Sequence, residues 1–249
     1  MSEPFTSDLS ASEYLLVEDA GFEPLGLVVG VAVYHVGFRE QFASNGELTV
    51  LGNAMYKARE LAMDSLEGEA SRLRADGVVG VRLETGRQGW GSQLMEFMVA
   101  GTAVRHRGGR KFRTKNGRAF TSDLSGQEFR TLLNSGYRPA ALVMGYCVYH
   151  VGRRGVGQAV KQVRQNAEMV NFTQAMYDAR EHAIARMQTE AQRCHADGVV
   201  GMRIQENHHR WGAHTIEFSA IGTAVVALPD AGGIRPPLTV LPLDDQRSR

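Results

Sequence analysis

Cysteine is too scarce in this sequence for a disulfide framework, since Cys147 and Cys194 are the only two in 249 residues. So small a number favours a reducing compartment. The sequence also lacks any apolar run that approaches the roughly 20 residues needed to cross a bilayer. Its first residues, MSEPFTSDLS, contain neither the basic region nor the apolar stretch of a secretory signal. These absences predict a cytoplasmic protein without a transmembrane segment.

An excess of charge of either sign is missing as well, because 28 basic residues face 27 acidic ones and the net charge is +1. No global electrostatic field therefore points to nucleic acid or to an anionic membrane as a partner. The hydrophobic share of 43% and the charged share of 22% are ordinary for a globular protein. A chain of this length can form two domains, each with its own core.

What the sequence does contain is an internal repeat. Two copies of one unit must share a fold, and each copy can be compared with the other. Four segments of the first copy recur in the second: residues 5–37 as 120–152, 54–60 as 175–181, 75–84 as 196–205, and 96–104 as 217–225.

Each copy opens with a pattern that is typical of a short capped helix. Ser10 precedes Glu13 by three positions, and Ser125 precedes Glu128 in the same way. In this spacing the hydroxyl accepts a hydrogen bond from one free amide at the helix start, and the carboxylate accepts one from another. We therefore expect a helix to begin just after each serine.

Further along, each copy alternates between strand and helix patterns. A continuous apolar segment predicts a strand covered on both faces, and Gly30 and Gly145 inside it favour a bulge or the close approach of another backbone. Small and apolar residues at helical spacing predict long helices at residues 53–74 and 174–195. Two more apolar segments predict a hairpin. The predicted order is helix, strand, long helix, strand, strand, which is an α+β unit.

The composition divides the chain into four parts. The first repeat covers residues 1–104 and the second covers residues 120–228. A glycine-bearing and densely basic linker joins them at residues 105–119. A proline-rich tail at residues 229–249 is predicted to be extended or disordered.

Three motifs in the second half of each repeat resemble the YbjQ-like family, which is known as a putative heavy-metal-binding domain. They are KARE (57–60), ADGVVG (75–80) and GTAV (101–104), followed in the second copy by ARE (179–181), ADGVVG (196–201) and GTAV (222–225). The resemblance extends over most of both copies, from the first strand to the last.

This resemblance implies tandem dodecin-like units, in each of which a long helix packs on a three-stranded antiparallel sheet. The capped N-terminal helix is an addition to that pattern. The resemblance also implies assembly into a pentameric ring. Independently of it, one helix on three strands leaves sheet edges open and buries little core, so such a unit needs partners. We therefore expect a homo-oligomer.

Histidines are the candidate metal ligands. His35 and His150 occupy equivalent positions, and we favour a structural role for both because one histidine per unit cannot complete a tetrahedral site. His208, His209 and His214 cluster in the second hairpin, without the paired-cysteine or spaced-histidine framework of a metal site. No cofactor is therefore predicted, and a divalent metal is kept as an alternative.

Candidate oligomer contacts are two charged pairs on the long helices and one tryptophan in each hairpin loop: Arg59, Glu60, Arg180, Glu181, Trp90 and Trp211. A solvated helix face would show the same charges, and we favour that interpretation for them. The tryptophans fit equally an exposed binding platform and a contact with the core edge or a neighbouring unit.

The basic linker is the best argument for a polyanionic partner such as nucleic acid or an anionic surface. The candidate contacts are Arg107, Arg110, Lys111 and Arg113. Phe112 is the only aromatic residue in this stretch, so base stacking is poorly provided for. We favour a solvated connector instead.

No nucleophile–base pair, acid pair or phosphate-binding loop recurs in both copies, so we expect a protein that is not an enzyme. The first hypothesis is a ring-shaped homo-oligomer that acts as a scaffold or binds an unidentified protein. The alternative is a heavy-metal or small-ligand binding module with its sites at clefts between subunits.

Overall fold

The computed structural model describes residues 5–37, 46–86, 94–108, 112–114, 116–151, 170–208 and 214–228. The elements along the chain are α1 (Ala11–Asp19), β1 (Phe22–His35), β2 (Gly46–Glu47), α2 (Thr49–Arg72), β3 (Gly77–Gly86), β4 (Leu94–His106), β5 (Phe120–Thr121), α3 (Gly126–Asn134), β6 (Tyr137–His150), α4 (Val170–Arg193), β7 (Gly198–His208) and β8 (Thr215–Ala227). This order confirms the prediction of two tandem α+β units. Within the described ranges, no helix is both long enough and apolar enough to cross a membrane.

Each unit contains three antiparallel strands with the last strand of the unit in the centre. β4 lies between β1 and β3 in the first unit, and β8 lies between β6 and β7 in the second. The registers match as well, since Ala32 pairs with Phe97 as Cys147 pairs with Phe218. The two copies of the repeat therefore share one topology, and each includes the predicted hairpin.

The long helix crosses one face of each sheet at a glycine. A Cβ on Gly30 would lie 1.9 Å from the carbonyl oxygen of Ala62, and a Cβ on Gly145 would lie 1.7 Å from that of Ala183. The strand register is continuous past both glycines. Of the two sequence-based alternatives, these residues therefore provide close backbone approach and not a bulge.

The short helices α1 and α3 begin at the predicted caps. The Ser10 hydroxyl accepts from the amide of Glu13, and the Glu13 carboxylate accepts from the Ser10 amide at 2.9 Å. Ser125 and Glu128 repeat this arrangement. Gly21 follows α1 with a φ of 85°, a left-handed conformation that ends the helix and favours glycine.

The predicted boundaries shift in two places. Both long helices begin several residues earlier than expected, because Leu51 is fully buried and extends the apolar face of α2 towards its start. β4 continues to His106, inside the predicted linker. Phe112 is buried as well, at 5% exposure, whereas residues 107–108 and 116–118 are exposed, so the linker is anchored to the core at Phe112 and is only in part the solvated connector that we expected. The predicted tail at residues 229–249 lies outside the described residues.

Each sheet gains a fourth strand from the other unit. β5, which opens the second unit, lies parallel to β3 of the first unit, and β2, which precedes α2, lies antiparallel to β6 of the second unit. The strand orders are β1-β4-β3-β5 and β2-β6-β8-β7. Main-chain pairing therefore joins the two units in both directions.

Gly30→Ala should lower the free energy of unfolding by about 3 kcal/mol, because the new methyl group would force the strand away from α2. Chemical denaturation measures the change. Gly68→Ala is the matched control, since no atom lies within 4 Å of its Cβ position and alanine favours a helix by about 1 kcal/mol over glycine. Equal effects of the two substitutions would contradict the close approach.

A candidate assembly interface between the two units

The junction between the units is built on a short lead segment, residues 120–124, which lies along β3. Phe120 pairs with Gly77, and Thr121 pairs with Val78. Four backbone hydrogen bonds hold this segment: Phe120 N to Asp76 O at 3.0 Å, Ser122 N to Val78 O at 2.9 Å, Val81 N to Ser122 O at 2.8 Å, and Gly80 N to Leu124 O at 3.2 Å. The second unit therefore begins as an edge strand of the first.

Two glycines of β3 make this pairing sterically possible. A Cβ on Gly77 would lie 2.3 Å from the ring of Phe120, so the ring packs directly on the strand backbone. Gly80 has a φ of 63° and lies where the register between β3 and β4 shifts. Such a bulge turns backbone groups out of the regular ladder, and here the Gly80 amide points to the lead segment.

An aromatic cluster seals one side of the junction. Phe22 of the first unit contacts Phe129 of the second with ring centroids 5.1 Å apart, and Phe120 with centroids 6.2 Å apart. Phe112, from the predicted linker, lies 4.9 Å from Phe22. All four rings are buried and belong to one apolar cluster that includes residues of both units. Neither unit could bury this surface alone.

Helix α2 of the first unit covers the second face of the sheet in the second unit. Leu142, Tyr146 and Val148 of β6 project away from their own helix and share an apolar cluster with α2 residues such as Leu51 and Met55. The exposed fractions of the three β6 side chains are 5%, 1% and 0%. One helix therefore packs between the two sheets.

Polar contacts fix the register of this packing. The Arg59 guanidinium donates to both carboxylate oxygens of Glu190, at 2.9 Å for the Nη1 bond, and the two side chains are 9% and 22% exposed. The Tyr146 amide donates to the hydroxyl of Tyr56 at 2.9 Å. A charged pair this far from water is costly to break, because the remaining partner stays buried without compensation.

Asp123 in the lead segment is a buried carboxylate at the same junction. It accepts from Thr223 Oγ1 at 2.5 Å and from Arg203 at 2.8 Å. Burial raises its pKa above the ordinary value, although both of these partners act in the opposite direction. Its counterpart in the repeat, Asp8, is only partly buried and pairs with Arg82 at 3.2 Å.

A second cluster lies where β2 of the first unit reaches β6 and α4. Within the described ranges, Glu47, Cys147 and His182 form the group whose ligand atoms lie close enough to hold a metal ion, all within 4.8 Å of one another. Arg186 also pairs with Glu47, at 2.5 Å. Burial is the main cause that raises the pKa of Cys147 to about 12, so the thiol is protonated at neutral pH.

Apolar residues that are buried at the junction in one unit have equivalent residues that are exposed to solvent in the other unit. Leu27, Val31 and Val33 of β1 are the counterparts of Leu142, Tyr146 and Val148, and their exposed fractions are 38%, 48% and 58%. On β7 of the second unit, Met202 is 46% exposed, whereas its counterpart Val81 on β3 is 2% exposed. The chain therefore presents two apolar surfaces whose counterparts are buried at the junction.

The described histidine candidates lie at or beside the ends of strands. His35 is exposed at the end of β1, and His150 is buried at the end of β6, where it pairs with Gly46 of β2. His214 has a φ of 63° and its ring lies 6.2 Å from that of Phe172. His208 ends β7, and its side chain, like the whole of His209, lies outside the described residues.

Of the predicted oligomer contacts, Arg59 lies at the junction, whereas Glu60 is exposed and pairs with Lys57 at 3.2 Å. Arg180 is the counterpart of Arg59 and lies 4.8 Å from the ring centre of Tyr177. Glu181 is exposed. Trp90 and Trp211 lie outside the described residues.

The described basic residues of the predicted linker face carboxylates of the chain itself. Arg107 pairs with Glu18, and Arg113 lies 4.0 Å from Asp76. These pairs leave less positive charge for a polyanion than the sequence suggested. Arg110 and Lys111 lie outside the described residues.

Sequence reasoning missed both exchanged strands and the group around Cys147. The signal for β5 was present, since the same six residues, FTSDLS, precede the capped helix in both copies. No comparable signal existed for Glu47, because it lies in the segment where the copies diverge.

The fold and the junction define a tandem-repeat α+β protein whose units associate by exchanging edge strands. The chain belongs to the YbjQ-like family. The family profile, described as "Putative heavy-metal-binding", matches residues 19–107 and 139–228, which confirms the resemblance seen in the sequence.

Two relatives have informative descriptions. An encapsulin nanocompartment protein of Mycobacterium tuberculosis is 49% identical over 242 residues, which cover 96% of this chain and 92% of the relative. A UPF0145 protein of Natronomonas pharaonis is 41% identical over 64 residues, which cover 26% of this chain and 60% of the relative. None of these descriptions names a chemical reaction.

The pair formed by Arg59 and Glu190 predicts a strong coupling across the junction. Arg59→Met and Glu190→Gln should each lower the free energy of unfolding by about 3 kcal/mol, and the double variant should lose much less than the sum. Denaturant titration of the four proteins measures this cycle. The exposed pair of Lys57 and Glu60 is the matched control and should couple by less than about 0.5 kcal/mol. Equal coupling in the two cycles would contradict the assignment.

Proposed function

We propose that this protein is a self-assembling structural component of a protein nanocompartment, built as a ring-shaped homo-oligomer of dodecin-like units. The observation that carries the proposal is the difference in exposure between equivalent residues of the two repeats. Apolar side chains of β1 are half exposed, whereas the same positions of β6 are buried against the neighbouring unit. Large exposed apolar surfaces on a folded chain mark sites of association.

The relative named as an encapsulin nanocompartment protein supports this role, because its similarity extends over almost the whole of both chains. The intrachain junction supports a ring. Its two sides are different surfaces, and contacts of that kind generate either a closed ring or an open filament. A ring built only from this junction contains whole chains and therefore an even number of units, and an assembly of five chains would contain ten units.

Native mass measurement tests this function. The wild-type protein should give one discrete species at five times the 27.3 kDa of one chain. A variant with Val31→Asp and Val33→Asp should give single chains, because charges at these positions would be buried without partners in the assembly. Thr189→Asp, at an exposed position of α4, is the control and should leave the assembly intact. A wild-type protein that stays monomeric at micromolar concentration would refute the proposal.

A heavy-metal site is the second candidate function, and the group of Glu47, Cys147 and His182 favours it. A thiolate, an imidazole and a carboxylate are ligands that suit zinc and related ions. The group lies between the two units of one chain, whereas the sequence-based alternative placed its sites at clefts between subunits. Two features oppose binding: the pKa of Cys147 is about 12, and the guanidinium of Arg186 already pairs with Glu47.

Metal titration separates this candidate from the scaffold role. If the group binds metal, Cd²⁺ should bind once per chain and produce thiolate–metal absorption in the ultraviolet. Cys147→Ser should abolish the signal, and Arg186→Gln should strengthen it by removing the competing cation. Cys194→Ser is the control, because this second cysteine lies outside the group. The absence of bound metal from both wild type and Arg186→Gln would exclude the site.

A further inference from the structure

The lead segment of the first unit is already held in the position that its counterpart uses at the junction. The Ser7 hydroxyl lies 2.9 Å from Thr102 Oγ1, and the Asp8 amide donates to the same oxygen at 3.1 Å. In the second unit the corresponding distances to Thr223 are 3.2 and 3.1 Å. Ser7 and Asp8 are therefore anchored as their counterparts at the junction are, whereas Thr6 accepts from the Leu27 amide through its carbonyl and Thr121 accepts from the Leu142 amide through its hydroxyl.

The Phe5 ring contacts another aromatic ring but remains exposed to solvent. Its ring lies 5.5 Å from that of Tyr14 in an edge-on arrangement, whereas the counterparts Phe120 and Phe129 are stacked with centroids 6.0 Å apart. The Phe5 side chain is nevertheless 50% exposed, whereas Phe120 is fully buried on Gly77. A half-exposed aromatic ring whose counterpart is fully buried marks a surface that can associate with a partner.

The edge of β7 has the shape that would accommodate the segment around Phe5. Gly198 is the counterpart of Gly77, and no described atom lies within 4 Å of its Cβ position, where Gly77 has the ring of Phe120. Gly201 repeats the bulge of Gly80, with a φ of 65° at the register shift between β7 and β8. This edge therefore has both the open space and the backbone geometry that receive a lead segment.

The side chains that make polar contacts at the junction also have counterparts on the outward-facing sides of the two units. Tyr177 and Arg180 on α4 are the counterparts of Tyr56 and Arg59, which bind β6 and Glu190 across the junction. Tyr177 is 49% exposed. Glu69 is the counterpart of Glu190 and already accepts from the Val29 amide at 2.8 Å, as Glu190 does from Met144.

From these matches we infer that chains join head to tail, with Phe5 and Thr6 of one chain added as a parallel strand to Gly198 and Val199 of the next. Arg180 of that chain then pairs with Glu69 of its neighbour. The contact between chains repeats the contact within a chain, and the occupant of the open β7 edge is a second copy of this protein. This inference rests on the proposed function, since it names the surfaces through which the ring is built.

The contact within a chain and the inferred contact between chains differ at one repeat position. A Cβ on Gly126 would lie 2.7 Å from the carbonyl oxygen of Glu13, so α3 and α1 approach closely within a chain. The first unit has Ala11 at this position. The helices that meet between chains are therefore slightly farther apart than those within a chain, and the contact between chains is the weaker of the two.

Two substitutions test the inference on the full-length protein. Gly198→Val fills the space reserved for the ring of Phe5, and Phe5→Ser removes that ring. Both positions are exposed within one chain, so the far-ultraviolet circular dichroism should not change. Native mass measurement should show loss of the assembled species in each variant. Gly68→Val, at an equally unobstructed glycine whose counterpart Thr189 stays exposed at the junction, should assemble like the wild type.

A covalent trap gives an independent readout. In a variant with Phe5→Cys, Gly198→Cys and Cys194→Ser, mild oxidation should link chains into ladders on a non-reducing gel, whereas neither Phe5→Cys nor Gly198→Cys alone on the Cys194→Ser background should do so. If the wild type assembles and both Gly198→Val and Phe5→Ser assemble equally well, the inference is wrong while the proposed function stands. A wild type that does not assemble overturns both.

Discussion

Hydrogen bonding at the edges of small sheets is the constraint on which the rest of this structure depends. A three-stranded sheet has unpaired amides and carbonyls along both edges, and one helix covers only one of its faces. This chain satisfies one edge of each sheet with two-residue strands, Phe120–Thr121 and Gly46–Glu47, each supplied by the other unit. Because those strands hold their place only while the units are together, association is part of the fold and not a later step.

Because the unit is duplicated, equivalent residues can be compared in two different surroundings within one chain. β1 and β6 have closely similar sequences and the same register, yet Val33 is 58% exposed and Val148 is fully buried. Since the compared residue is valine in both strands and the register is the same, the difference comes from what packs on the strand, which for β6 is α2 of the preceding unit. This contrast is explained most simply if the junction within the chain is one of several equivalent junctions in an assembly. The group of Glu47, Cys147 and His182 does not belong to that series, because Ala32 and Leu61 replace the cysteine and the histidine in the first unit.

Local features could be predicted from the sequence, because neighbouring residues determine them. The capping boxes at Ser10 and Ser125 depend on a spacing of three residues, and the close approach at Gly30 depends on a missing side chain within an apolar strand. Pairing between distant segments could not be predicted, because no periodicity encodes which edge a two-residue strand such as β5 will meet. Arg59 was a candidate contact by its pattern of charge, but its partner Glu190 could be identified only once α2 and the second sheet were placed together. The burial of Phe112 in the core between the units was not predicted, because basic residues dominate the sequence of the linker.

The central claim is that a single kind of junction joins units both within and between chains. A cryo-electron microscopy map of the assembled wild-type protein tests it most directly. The claim predicts a closed ring in which Phe5 and Thr6 run parallel to Gly198 and Val199 of the adjacent chain, with the ring of Phe5 over Gly198. A map in which the β7 edge is bare, or is covered by any other segment, would contradict it.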